Sequence, residues 1–425
     1  MIARIKTNLI KYFFFGNSIT DDGYLRLAYL LGRFLVFLPL SLCATLVLGV
    51  YSMFRPVKIF MLRCDRSKIS FIVEDLEVAL RIEAHNTKTS GAKPALIFAV
   101  LDCDSPNRAF TAMYGRVVPF LDDDRPFFRG IIRYVLPILG VKRKYLARRQ
   151  SEIQMIIWSE SPPNLGFTDA EKLKGSQLQK KLLSDSAKPF VCIALPEKSY
   201  YELKEENKHL GTNSSDLYSN FPSWESYYPC IKSLNDIGFN VIRMGQTVDY
   251  AVDASSCTII DYAYTSRSEF GDVWLSGNCK FVIAGGGTGI YWPASTFNKP
   301  VIKTDSNELF NTSYGKNDLQ IPQLAWSRSE KNFKLFSWLI KQGQGWAQNR
   351  SLIDGEIEII KNTAEEINEV VLEMNQRLDG TWIETVEDIE LQNRFKKLRE
   401  VVPKWQFQEG VRIGADFLRR YQHLL

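Results

Sequence analysis

Eight short runs rich in apolar and β-branched residues punctuate this chain, at 57–63, 95–101, 154–158, 189–194, 240–244, 258–262, 280–284 and 300–303. Several are apolar without interruption, as strands buried on both faces of a parallel sheet are. Helical stretches such as 227–237 and 268–276 lie between them. Strands and helices in alternation predict an α/β fold. At 425 residues the chain has room for two such domains, each with its own core. A cluster of Ser, Asp and Lys just before the run at 189 places the expected boundary there. The domains expected are therefore 57–186 and 187–395, after an N-terminal region 1–56 and before terminal helices 396–425. A Thr363/Glu366 capping box predicts the start of one late helix.

The formal charge of +5 is confined to the N-terminus. Residues 1–60 hold seven Lys/Arg against Asp21 and Asp22, which leaves the remainder neutral and argues against a general nucleic-acid binder. Within that region 34–54 is a run of 21 uncharged residues, the length of a membrane span. Pro39 suits a membrane helix or a hairpin that enters and returns; a buried core helix is the soluble alternative. Residues 126–149 interleave Phe, Ile, Leu and Tyr with seven Arg/Lys, a pattern suited to an anionic membrane surface or to an amphipathic helix pair. Seven scattered cysteines without a CxxC pair imply neither a disulfide framework nor a zinc site. Three histidines exclude a histidine-rich metal centre.

The segment after the strand at 280–284 reads Gly285, Gly286, Gly287, Thr288, Gly289. It lacks the GK[ST] of a phosphate loop and the GxGxxG of a dinucleotide fold. Glycines between a strand and a helix still let a ligand touch the backbone, and a helix start attracts anions. Tight helix–sheet packing is the competing explanation. Arg243 and Gly245 end one neighbouring strand, and Arg267 follows another. Two arginines beside such a loop suit a diphosphate better than a metal. The acidic triplet Asp122, Asp123, Asp124 reads as a solvated loop.

From residue 189 onward the chain resembles a group of bacterial glycosyltransferases associated with surface-polysaccharide synthesis. The phrases that carry the resemblance are "VCIALPEKSYY", "NFPSWESYYPCIKSLNDIGFNVIRMG", "IIDYAYTSRSEFGDVWLSGNCKFVIAGGGTG", "NKPVI", "NDLQIPQL" and "TAEEINEVVLEMNQRLDGTW", with a fainter likeness in "SKISFIVEDLEVALR". The resemblance implies a GT-B-like fold of two Rossmann-like domains, here preceded by the membrane helix or hairpin. The first domain would bind the acceptor, a glycan or lipid-linked species, and the second a nucleotide sugar. The sugar's diphosphate would lie against Gly285, Gly286, Gly287, Thr288 and Gly289, with Arg243, Gly245 and Arg267 beside it. No cofactor and no metal is implied, because backbone N–H groups and arginine would stabilise the leaving group. The implied location is the bacterial inner membrane, with the catalytic domains facing the cytoplasm.

Two departures bear on catalysis. Lys68-Ile69-Ser70-Phe71 replaces a family Arg-Ile-Gly-His, and Ala194-Leu195-Pro196-Glu197 replaces His-Val-Arg-Asp. The two missing histidines remove a candidate general base and a polar contact. Glu74 and Asp75 are the candidate catalytic carboxylates that remain, with Glu77 and Glu197 as further acidic groups. The alternative function is a non-catalytic, membrane-anchored binding or scaffold relative. A nucleotide-sugar epimerase ranks last.

Overall fold

The computed structural model describes residues 56–62, 69–91, 93–101, 105–120, 155–202, 221–252, 255–286, 288–306, 309, 315–342, 355–398 and 412–425, with isolated positions between 39 and 54. Residues 126–149, Gly287 and the triplet 122–124 lie outside the described set. So does most of 34–54; among its described positions Leu46, Val47, Val50, Met53 and Phe54 are exposed. Among the described residues, no helix is long and apolar enough to cross a membrane.

The chain divides into two compact units, residues 1–106 with 111–150, and residues 107–110 with 151–425. In the first, β1 (Val57–Leu62) pairs in parallel with β2 (Leu96–Leu101). A helical segment follows β1: one turn at Ser70–Ile72, a π-helical stretch Val73–Glu77, then α1 (Val78–Ser90). Val73, Leu76 and Leu80 are buried along it, and Gly91 ends it in the left-handed conformation that glycine adopts without strain.

The second unit is built on six parallel strands. They are β3 (Phe190–Ala194), β4 (Asn240–Arg243), β5 (Val282–Gly285), β6 (Val301–Ser306), β7 (Leu319–Pro322) and β11 (Arg412–Ile413), in the spatial order β11-β7-β6-β5-β3-β4. Ile260 adds a parallel bridge outside β4. Counted from β3 along the chain, and taking Ile260 as the third strand, the sheet up to β7 reads 3-2-1-4-5-6. That is the doubly wound order, whose reversal falls between β3 and β5. The central strands β3 and β5 are buried throughout, so they read as uninterrupted apolar runs. A small antiparallel sheet of β8 (Leu324–Ser327), β9 (Asn332–Phe333) and β10 (Ile357–Ile360) is separate from it.

Several helices of this unit open on side-chain caps. α2 (Asp169–Leu182) and α4 (Ala364–Asp379) each open on a complete capping box, Thr168 with Glu171 and Thr363 with Glu366. α3 (Glu269–Asn278) is capped by Ser268, whose hydroxyl accepts from Gly271 N. α5 (Val386–Lys397) opens on Thr385 and Asp388.

The run at 154–158 is not a strand: Met155–Glu160 is helical. A four- or five-residue apolar run has no period long enough to separate the two forms. The division between units also falls earlier than the expected 186/187. α2 packs on α3 through Gly175, where a Cβ would lie 2.0 Å from Trp274 Cδ2. Phe167 stacks on Phe297 and meets Trp274 edge-on at 4.8 Å. The polar stretch 183–188 is therefore the loop from α2 into β3. Likewise the residues after 395 supply β11, the edge strand of the same sheet.

Gly175→Ala is expected to destabilise the protein by about 1–3 kcal/mol, because the indole beneath the helix must move. Urea unfolding would measure it, and a change below about 0.5 kcal/mol would refute the contact.

Candidate functional site

In a doubly wound sheet, ligands sit outside the carboxyl ends of the strands, at the reversal point. Here that point is bounded by Leu195, Pro196 and Glu197 after β3 and by the glycine stretch after β5. Arg243 ends β4 and is completely buried. Its Nη2 donates to Glu197 Oε1 at 2.7 Å, and its Nη1 donates to Asp261 Oδ2 at 2.8 Å and to Tyr250 O at 2.7 Å. Trp224 lies 5.1 Å from the guanidinium carbon, and its Nε1 donates to Glu197 Oε1 at 3.4 Å. Among the described residues Arg243 Nε has no hydrogen-bond partner, although it is buried.

One cation thus faces two carboxylates. Asp261 also accepts from Val252 N and Tyr264 N, so it is anchored on both oxygens. Glu197 is anchored through Oε1 alone; no described residue hydrogen-bonds its Oε2. Burial pushes the Glu197 carboxyl up, and the arginine beside it offsets part of that shift.

A second network ties β6 to the start of α4. Tyr227, fully buried, donates to Asp305 Oδ2 at 3.1 Å and pairs with the Thr304 hydroxyl at 2.7 Å. Asp305 Oδ1 accepts from Asn362 N, while Asp305 N donates to Asn362 Oδ1 at 2.6 Å. Asp305 has φ 48°, a strained value for a residue with a side chain. Burial pushes its carboxyl up to about 6, against the hydrogen bonds from Asn362 N and Tyr227.

The glycine stretch is shaped by this network. A Cβ on Gly285 would lie 2.5 Å from both Tyr227 Oη and Leu195 Cδ2. A Cβ on Gly286 would lie 2.9 Å from Pro196 and from Pro222, and its φ of 57° is one that glycine adopts freely. What approaches these two glycines is protein. Gly289 differs: the nearest atom to an added Cβ would be 4.0 Å away. The Thr288 hydroxyl donates to Ala194 O across the reversal point at 3.4 Å.

No protein-family model matches the sequence, and no curated protein matches it. Among the solved structures similar to it are two glycosyltransferases. The first is the dodecameric iron-containing heptosyltransferase TibC, crystallised with ADP-D-beta-D-heptose. It is 13% identical over 76% of this chain and 77% of that chain, with a TM-score of 0.35. The second is the glycosyltransferase SnogD from Streptomyces nogalater, 10% identical over 77% and 95%, with a TM-score of 0.26.

Of the residues that sequence reasoning selected, Arg243, Gly285, Gly286 and Thr288 come together at the ends of β3, β4 and β5. Gly245 lies beside them, with its Cβ direction closed by Val248. Arg267 is held apart in another pair: its Nε and Nη2 donate to Asp272 Oδ2 at 3.1 and 2.8 Å. Burial pushes Asp272 up to about 6. Glu74 and Asp75 belong to the other unit and lie within its π-helical stretch, a distortion frequent at functional sites. Glu77 is buried there, bonded to Arg81 Nε at 2.7 Å and to the Tyr114 hydroxyl at 2.9 Å. Among the described residues no group of three or more His, Cys, Asp or Glu is arranged to hold a metal ion.

Glu197 was legible as an acidic group after a strand, but its sharing of one buried arginine with Asp261 was not. Tyr227 and Asp305 gave no functional signal, since an aromatic in a helix and an Asp after a strand are both commonplace.

Two measurements test this geometry. Gly285→Ala is expected to cost about 1–3 kcal/mol, with part of the loss recovered when Tyr227→Phe removes the hydroxyl. Strictly additive losses would show that the phenol does not limit the position. For Asp305, a folded pKa near 6 lies above the ordinary carboxylate value. The native state then holds the proton more tightly, so this stabilisation is complete below about pH 4 and is lost as pH rises through about 6. Asp305→Asn lacks that dependence. Relative to wild type its stability should rise by about 2–3 kcal/mol between pH 4 and pH 7, as urea titrations would show. A difference that stays constant with pH would count against the shifted carboxyl.

Proposed function

We propose that the chain is a glycosyltransferase that takes a nucleotide sugar in the crevice between the carboxyl ends of β3 and β5. The observation that carries this reading is the 3-2-1-4-5-6 strand order, whose reversal brings Glu197, Arg243 and the glycine stretch to one place. The ordered phrases shared with bacterial glycosyltransferases support the same assignment. On this reading Glu197 Oε2 accepts a hydroxyl of the ribose or of the transferred sugar. The diphosphate lies along Gly287, Thr288 and Gly289, where the Cβ direction at Gly289 is open. Arg243 acts through Glu197, because both of its Nη groups are already engaged. Charge on the leaving group is met by backbone N–H groups.

The finer reading places the enzyme at a bacterial inner membrane, facing the cytoplasm. There it would extend a glycan or lipid-linked acceptor for surface-polysaccharide synthesis. The uncharged run 34–54 and its exposed apolar positions support that placement. Glu74 and Asp75, in the acceptor unit, are the proposed catalytic carboxylates. A second reading, a binding relative without turnover, draws on the pairing of Arg243 and Arg267 with protein carboxylates and on the two absent histidines.

Thermal unfolding of the full chain with nucleoside diphosphates and their sugars, and with CMP-sugars, tests the proposal. At a hundredfold excess over Kd the cognate species should stabilise by about 2.7 kcal/mol. Glu197→Gln, which keeps an acceptor for Arg243, should weaken that binding about tenfold. If no nucleotide species protects the protein, the proposal fails. Protection without release of nucleoside diphosphate to any acceptor selects the second reading.

A further inference from the structure

Among the described residues of the second unit, the exposed large apolar side chains are aliphatic except for two, Tyr250 and Tyr264, at 55% and 57% exposure. Both belong to the carboxyl end of β4 and the Ile260 bridge beside it. Arg243 Nη1 donates to Tyr250 O at 2.7 Å, and Asp261 Oδ1 accepts from Tyr264 N at 3.2 Å. The ion pair of Arg243 with Asp261 therefore holds the backbone of both tyrosines. The Tyr250 ring lies 5.9 Å from the guanidinium carbon, within the range of a cation–π contact. An aromatic face that stays in water on a backbone fixed from beneath is prepared for a flat partner.

The sheet order says which part of a nucleotide would reach it. In the sequence β5-β3-β4, the end of β4 lies two strands from the glycine stretch, roughly 10 Å away. A ribose and its diphosphate bridge such a span. With phosphates past β5 and a ribose hydroxyl on Glu197 after β3, the base falls over the end of β4.

Charge narrows the choice of base. Partial burial, then the negative charges of Glu197, Glu225 and Asp249, push the Tyr250 phenol up, with Arg243 opposing them. Asp249 is fixed there by the N–H groups of Lys198 and Ser199, at 3.0 and 2.9 Å. Glu225 is exposed and follows Trp224, whose ring lies 5.1 Å from the same guanidinium. Ionised carboxylates only accept hydrogen bonds, so they match a base edge that carries amino hydrogens and repel one flanked by carbonyls.

We propose that Tyr250 is the stacking platform for the donor's nucleobase, and that Glu225 and Asp249 select a base with an exocyclic amino group over uracil and thymine. Tyr264 bounds the same rim. The inference rests on the nucleotide-sugar reading of the crevice.

Binding to the full chain is measured by calorimetry and thermal unfolding, with GDP, ADP, CDP, UDP and TDP as probes. One of the first three is expected to bind about tenfold tighter than UDP and TDP. Tyr250→Ala should weaken that binding about tenfold, and Tyr250→Phe should keep it, because the ring makes the contact. Glu225→Gln, which adds an N–H, should narrow the gap to UDP. Both positions are exposed, so these variants should unfold as wild type does without nucleotide. If no nucleotide binds wild type, the nucleotide-sugar reading fails and the platform fails with it. If nucleotides bind but Tyr250→Ala holds them as tightly as wild type, or if UDP or TDP binds as tightly as the rest, only the platform and its selectivity are overturned.

Discussion

A guanidinium removed from water must be paired, and Arg243 is paired twice. Its two carboxylate partners come from different connections, Glu197 after β3 and Asp261 after Ile260. Breaking such a pair leaves an uncompensated buried charge, a loss of several kcal/mol. The arginine therefore fixes the loops at the carboxyl ends of β3, β4 and the Ile260 bridge relative to one another. It also sets the sign of the site: one cation with two ionised carboxylates leaves a net negative charge.

The glycine stretch belongs to a different constraint. Tyr227 crosses to the ends of β5 and β6, where its hydroxyl reaches Thr304 and Asp305. A side chain at position 285 would occupy that path, and one at 286 would meet Pro196 and Pro222. Two of the three consecutive glycines thus answer to packing. At the end of the stretch Thr288 bridges to Ala194, and the Cβ direction at Gly289 is open.

Much of the fold was legible because the central strands are buried on both faces. The runs at 189–194, 240–244, 280–284 and 300–303 are β3 to β6 with small changes at their ends. The Thr363/Glu366 box opens α4 as read. β7 was hidden because it carries the buried Gln320 and closes on Pro322, which break the apolar pattern. β11 has two residues, too few for any period. The end of the first unit was misplaced because polar composition marks loops, whereas unit membership depends on contacts such as Gly175 on Trp274. In the site, the residue types at strand ends were legible. Their pairing was not, because Glu197, Arg243 and Asp261 are separated by 46 and 18 positions along the chain.

The negative sign of the Arg243 cluster has a consequence for any nucleotide sugar placed there. A diphosphate beside Glu197 would face repulsion that Arg243, already shared, cannot remove. Hydroxyls face the reverse situation, since a carboxylate oxygen without a partner is a strong acceptor for them. Burial raises the pKa of Glu197, so its protonated form becomes accessible at a higher pH than for an ordinary glutamate. Protonation would leave Arg243 and Asp261 as a neutral pair and remove the repulsion. The crevice thus separates the two halves of such a ligand by charge. On the proposed reading, hydroxyls would sit at the end of β3 and phosphates past the end of β5.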